Sequence, residues 1–176
     1  MRRISGKFSI AATFLVAALA AGAAQNPPAA TAPAPMAAPP LTPYGVSIGI
    51  DDAKKAAAAA LAEARRNSFL MVVAIADISG NLVYLEKMDG AQNASVTIAA
   101  EKARSSALFR RPTKAFQDAV AQGGVGLRFL GIPGAIPVEG GIPLIAAGKI
   151  IGAIGLSGGA SDQDAQCAQA GAAVIK

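Results

Sequence analysis

Histidine and tryptophan are absent from all 176 residues, and cysteine occurs once, at Cys167. A Ser-His-Asp or Cys-His nucleophile system therefore cannot be assembled from this chain. Zinc sites built on His or paired Cys are excluded, and so is haem ligation through a histidine of this chain. A single cysteine forms no internal disulfide, so the fold must hold by its core. Cys167 lies in an Ala-rich helical stretch, which suits a small buried residue better than a reactive thiol. Any chemistry has to come from carboxylates, Lys, Arg, Tyr, Thr, Ser or backbone groups.

Residues 1–24 read as an export signal. Arg2, Arg3 and Lys7 form a charged n-region, and the apolar run Ile10–Ala21 ends in small residues that suit a signal peptidase. The run is short for an anchor, so cleavage near Ala23 or Ala24 is expected, with no stable membrane attachment and a periplasmic or secreted product. Residues 25–43 are a Pro/Ala tract without aliphatic periodicity, a flexible linker by composition. The chain carries 16 Lys+Arg and 11 Asp+Glu; loss of Arg2, Arg3 and Lys7 leaves 13 cations, a charge near +2. That is no nucleic-acid footprint.

One domain is expected over residues 44–176. Ile50–Asn67 has helical spacing, with Ile50, Ala53, Ala57, Leu61 and Ala64 on one face. Phe69–Asp77 and Asn81–Met88 are β-rich runs joined across Ser79-Gly80, an antiparallel hairpin. Ser95–Phe109 is a second helix, ended at Arg111-Pro112. Thr113 is placed to cap a short helix over Lys114–Gln122, and Gly123–Pro137 is a loop with one helical turn near Leu127–Leu130. Ile142–Ala147 and Lys149–Leu156 form a second hairpin, with Val138 starting a shorter fifth strand beside them. A last helix runs from about Asp162. Hairpins imply an antiparallel sheet whose faces the helices must cover, so the class is α+β.

The junction Lys149–Asp164 runs from an apolar strand through Gly158-Gly159 into a helix start. It contains Gly155-Leu-Ser157-Gly-Gly159, a literal nucleophile-elbow pattern. Without histidine the pattern is empty, and Ser157 reads as structural. Ser161 and Asp164 have N-cap and N3 spacing. Gly158, Gly159 and Ser161 are accordingly candidates for seating an anion on outward-pointing N–H groups.

In order, the blocks Ala76-Asp77-Ile-Ser-Gly-Asn-Leu-Val83, Lys87-Met-Asp-Gly90, Ile98-Ala-Ala-Glu-Lys-Ala103, Phe109-Arg-Arg-Pro-Thr113, Gly140-Gly-Ile-Pro143 and Gly152-Ala-Ile-Gly-Leu-Ser-Gly-Gly159 cover nearly all of residues 44–176. This ordered set resembles the GlcG/HbpS family, a haem-binding or haem-degrading type of domain that also closes some cobalamin adenosyltransferases. The resemblance implies a profilin-like α+β fold with a five-stranded antiparallel sheet. It further implies homo-oligomers, from dimer to octamer, and haem bound at a surface or interface. It puts Thr113 first among ligand candidates.

Arg110, Arg111 and Lys114 flank Thr113 in the densest basic cluster outside the export segment. Their donors suit propionates or another carboxylate, while the bland alternative is a helix C-terminus favoured by cations. Met88 is a candidate thioether ligand and Asp89 a candidate ligand at a turn, each with a packing or turn role as its alternative. Tyr44 and Tyr84 are further iron-ligand candidates. Glu101 and Lys102 read as a solvated helix face, and Asp162 and Asp164 as complements to a helix dipole rather than metal ligands. No metal site and no catalytic residue is assigned. Three functions remain open: an exported haem or tetrapyrrole binder, an enzyme or binding protein for a small carboxylate such as a hydroxy acid, and a non-catalytic assembly module.

Overall fold

The computed structural model describes residues 41–176; the export segment and most of the Pro/Ala tract lie outside them. Helix α1 spans Ile50–Arg66, β1 Val72–Ala76, β2 Leu82–Lys87, α2 Ala94–Phe109 and α3 Lys114–Ala121. A 3₁₀ segment over Gly124–Leu130 precedes β3 Gly141–Ala146, β4 Lys149–Ser157 and α4 Ser161–Ala172. Every expected helix and hairpin forms within a few residues of its expected bounds.

The sheet has order β2-β1-β4-β3 and is antiparallel throughout. It has four strands, not five. Val138 lies in a bend after Pro137, whose missing N–H cannot enter a ladder, and Gly140 at φ 121° redirects the chain into β3. The extra pairing comes instead from the start of the domain. The Tyr44–Ile150 bridge runs parallel, with Gly45 N–H on the Ile150 carbonyl and Ile150 N–H on the Pro43 carbonyl.

Alternation along the central strands produces three layers. Val73 and Ile75 of β1 join Ile154, Leu156 and Leu144 in a core shared with α1 and α4. Val72, Ala74 and Ala76 face the other way, onto Ala99 and Ala103 of α2. The helices can lie close because their buried faces are small: Ala53, Ala56, Ala57, Ala60 and Ala64 on α1 meet Cys167, Ala168 and Gly171 on α4. Cys167 is buried within this layer, and burial pushes its thiol up to about 11, which makes it inert at neutral pH.

Turn chemistry agrees with the sequence. Asp77 closes the first hairpin through Oδ1, which accepts from the Ser79 and Asn81 N–H groups at 2.8 Å each. The second hairpin turns at Ala147 and Gly148, both with positive φ, as a two-residue primed turn requires.

One close approach fixes where α2 sits. Gly141 and Gly155 are register partners on β3 and β4. A Cβ on Gly155 would land on the Ala99 carbonyl and the Ala103 amide; one on Gly141 would land on the Lys102 carbonyl. This glycine pair is a notch into which the α2 backbone settles. We expect Gly155→Ala to cost about 3 kcal/mol, the upper part of the overpacking range, and Gly155→Val to prevent stable folding. Urea midpoints at unchanged m-value check this.

Candidate functional site

Lys102 on α2 and Asp164 on α4 come from opposite faces of the sheet, yet Lys102 Nζ donates to Asp164 Oδ2 at 2.6 Å. Their side chains are 1% and 4% exposed. The two meet past the end of the sheet, beside Gly140, where a Cβ would lie 2.9 Å from Lys102 Nζ and 2.8 Å from Asp164 Cβ. Burial raises the Asp164 carboxyl above its usual range, while Lys102 and the Gly159 and Gly158 N–H groups pull it down.

This arrangement corrects two expectations. Lys102 is not on a solvated face: Ser95, Ala99, Lys102, Ala103 and Ser106 make one buried stripe of α2. Asp164 does more than complement a dipole. The anion seat expected from Gly158, Gly159 and Ser161 is filled from within the chain. Gly159 N–H donates to Asp164 Oδ1 at 3.2 Å, and Ala160 N–H to Gln163 Oε1 at 3.0 Å. Helix α4 starts at Ser161 itself, with Ala160 in the cap position, so Ser161 is the first helical residue and not the N-cap. Gln163, not Asp164, occupies N3 and reaches back to the cap N–H. Ser157 is buried and donates to Ser95 Oγ at 3.1 Å.

The basic cluster spreads its three cations over different partners. Arg110 ends α2 in the left-handed conformation, φ 54°, with its guanidinium 5.2 Å from the centre of the Tyr44 ring. Tyr44 donates its hydroxyl to the Ala107 carbonyl at 2.8 Å, which ties the start of the domain to α2. Arg111 donates from Nε to the Phe109 carbonyl at 3.1 Å and lies 5.8 Å from the centre of the Phe116 ring. Lys114 sits 2.8 Å from Asp118 Oδ1 and 3.8 Å from Glu139 Oε2, and the Asp118 hydrogen bond raises its ammonium above the usual range.

Thr113 is fully buried. It precedes α3, but its hydroxyl does not cap that helix. Oγ1 accepts from Gly141 N–H at 2.9 Å, and Thr113 N–H donates to the Gly141 carbonyl at 3.0 Å. This two-bond clasp fastens α3 to the start of β3. Met88 is half-buried against the core, and its sulfur accepts from Met71 N–H at 3.5 Å. Asp89 is exposed beside Gly90, on a 320 Å³ hollow with Arg65, Glu86 and Lys87. Met88 and Asp89 thus belong to other elements than Thr113. Tyr84 donates to Glu86 Oε2 at 2.7 Å.

Beside the clasp, Phe116 packs edge-on against Phe109 at 5.1 Å and against Phe129 at 5.0 Å. Arg128 lies 5.2 Å from the centre of the Phe129 ring, so Arg111 and Arg128 flank one aromatic pair. Val125, Leu127 and Leu130 are exposed on the same 3₁₀ segment. A separate cavity of 260 Å³ lies between Pro112, Lys114, Glu139, Gly140, Gly141, Ile142, Ala165 and Gln169.

A family profile described as "Haem degrading protein HbpS-like" matches residues 48–173. The chain belongs to the HbpS-like family. Among relatives of this family, protein GlcG of Escherichia coli K12 is 41% identical over 100 residues, 57% of this chain and 73% of that protein. A double mutant of HbpS from Streptomyces reticuli shares the fold with TM-score 0.69 at 34% identity, covering 82% of this chain and 99% of that one. The PduOC:heme complex aligns with TM-score 0.67 at 28% identity, over 74% and 96% of the two chains. The HbpS-like fold here carries the four-stranded sheet described above.

Within this HbpS-like domain, sequence reasoning missed the Lys102–Asp164 pair and the aromatic cluster. The signal for the first was a charged residue at a core position of an otherwise small-residue helical stripe. Removing one partner should cost about 3–5 kcal/mol, the range for breaking a buried ion pair. We expect Lys102→Met and Asp164→Leu each to fall in that range, and the double variant to recover at least half of the summed loss. Independent, additive losses in urea unfolding would show that the two groups do not act as a pair.

Proposed function

We propose that this protein is an exported, homo-oligomeric haem-binding protein that carries tetrapyrrole on its surface or between copies. The HbpS-like match and the heme complex of its PduOC neighbour support this reading. The observation that carries it is the face built by α3 and the 3₁₀ segment. Two guanidiniums are held on the Phe116–Phe129 pair next to exposed Val125, Leu127 and Leu130. Leu127 and Leu130, three apart in a 3₁₀ segment, stack on one side. Apolar side chains suit the faces of a porphyrin, and guanidiniums suit its propionates.

The donor set fits the periphery of the group better than its iron. Thr113 Oγ1, the Met88 sulfur and the Tyr44 hydroxyl are each already engaged in an internal hydrogen bond. Bound haem would supply redox and ligand-exchange chemistry at its metal; the chain's residues hold its edges and cover its faces. Thr113 serves as a positioning residue, since its clasp sets the angle of α3 and hence of Arg111 and Phe116. Arg110 and Lys114, turned to Tyr44 and to Asp118, contribute charge near the face. The small-carboxylate reading is less well supported, because in the seat expected from Gly158, Gly159 and Ser161 the Gly159 N–H is taken by Asp164, and the Ala160 N–H between them by Gln163.

Hemin titration followed at the Soret band should saturate, and Arg111→Ala and Arg128→Ala should each weaken binding about tenfold, the loss of one charge-assisted contact. Thr113→Val should lower the thermal midpoint as well as affinity. A titration without saturation, or one untouched by both Arg substitutions, would sink the proposal. Export is checked separately: the protein recovered from a periplasmic or secreted fraction should begin near Gln25.

A further inference from the structure

We infer that the cavity between the start of α3, the Glu139–Ile142 segment and α4 binds a small primary alkylamine as its ammonium ion. This inference does not rest on the haem reading, which uses Arg111, Arg128 and the Phe116–Phe129 pair. The cavity measures 260 Å³, and Pro112, Ile142, Ala165 and the Gly140-Gly141 backbone form its lining, with Glu139, Lys114 and Gln169 as the polar residues. An apolar cavity of about 150 Å³ holds a benzene ring, so a ligand with an aliphatic body of four to six carbons fits.

The charge preference follows from which groups are already used. Two backbone donors at the cavity's edge are already engaged, and the balance of charge at the rim sets the preference. Gly141 N–H is bonded to Thr113 Oγ1, and Glu139 N–H to Gln117 Oε1 at 2.9 Å. The Lys114 ammonium lies between two carboxylates, Asp118 at 2.8 Å and Glu139 at 3.8 Å. One cation against two anions leaves this rim net negative. The Glu139 contact, at 3.8 Å, is beyond hydrogen-bond length, whereas an incoming ammonium could approach its oxygen to about 2.8 Å. Glu139 is largely shielded from solvent, 17% exposed in its side chain, which strengthens such a pairing over one on open surface. The ligand would lay its alkyl chain on Ile142 and Ala165 and present its ammonium to Glu139.

The test compares n-butylamine, 1-butanol and butyrate, three probes with the same tail and different charge, by amide chemical-shift titration of the purified protein. We expect butylamine to move the Gly140, Gly141 and Ile142 signals saturably and at least tenfold more tightly than butyrate. Glu139→Gln should reduce butylamine to the level of butanol while the rest of the spectrum stays in place. Butyrate binding as tightly as butylamine, an amine preference that survives Glu139→Gln, or no saturable movement with any probe would overturn the inference. A lysine side chain from another copy carries the same chemistry. Sizing in saturating butylamine separates the sources: dissociation of a multimer assigns the pocket to such a lysine, and an unchanged size assigns it to a free amine.

Discussion

The Lys102–Asp164 ion pair is the contact on which the two sides of this domain depend. Sheet and helices already pack by small residues, but packing of alanine on alanine is forgiving of slippage. A buried ammonium that meets one carboxylate at 2.6 Å is not. It joins α2 on one face of the sheet to α4 on the other, and it does so past the strand ends, where only Gly140 leaves room. Such a pair adds less to net stability than its Coulomb energy implies, because both ions lose water. Its effect is to penalise every arrangement in which α2 and α4 are out of step.

The same carboxylate settles the junction between β4 and α4. One oxygen takes the lysine, and the other takes the Gly159 N–H. A helix start that would attract an external anion is therefore occupied by the chain's own. Charge elsewhere follows this pattern of internal use. Arg110 rests on Tyr44, Arg111 on Phe116, Arg128 on Phe129, and Lys114 between Asp118 and Glu139. A basic cluster in sequence thus becomes three separately held cations, with Arg128 a fourth from the 3₁₀ segment. Guanidiniums stacked on rings keep their outward N–H groups free for a ligand, whereas the Lys114 charge is largely offset by the two carboxylates beside it.

Much of the fold was legible because the local signals agree with one another. The Asp77-Ile-Ser-Gly-Asn81 turn, the β-rich runs on either side of it and the alanine stripe of α1 each have one sensible reading. The fifth strand failed for a local reason: Pro137 and the positive φ of Gly140 deny Val138 a ladder, and the one added pairing among the described residues is that of residues 43–45 with Ile150. The candidate site was less legible. Thr113 was picked out as a residue of consequence, but its burial and its clasp to Gly141 depend on a contact 28 residues away. Lys102 was misread because it stands in sequence between the charged Glu101 and Arg104, neither of them buried, and only the register of the buried stripe separates it from them. The cluster of Phe109, Phe116 and Phe129 joins three elements, and no periodicity links them.

The glycine notch explains why the clasp and the ion pair are compatible. Gly141 must lack a side chain twice over: to admit the α2 backbone at Lys102, and to let Thr113 Cγ2 close upon it. Gly140 beside it must be bare for Lys102 and Asp164 to meet. Two adjacent glycines thus serve α2, α3 and α4 at once, and the cavity proposed for an amine is the surface over that crossing. A ligand there would rest on Gly140 and Gly141, the residues that separate it from the buried ion pair and from Thr113. Haem held by Arg111 and Arg128 would depend on the same Thr113 clasp, which fastens α3 to β3. The two surfaces share the Thr113 clasp and border on Lys114, but Arg111 and Arg128 belong to one and Glu139 to the other, so each can be removed by substitution while the other is left standing.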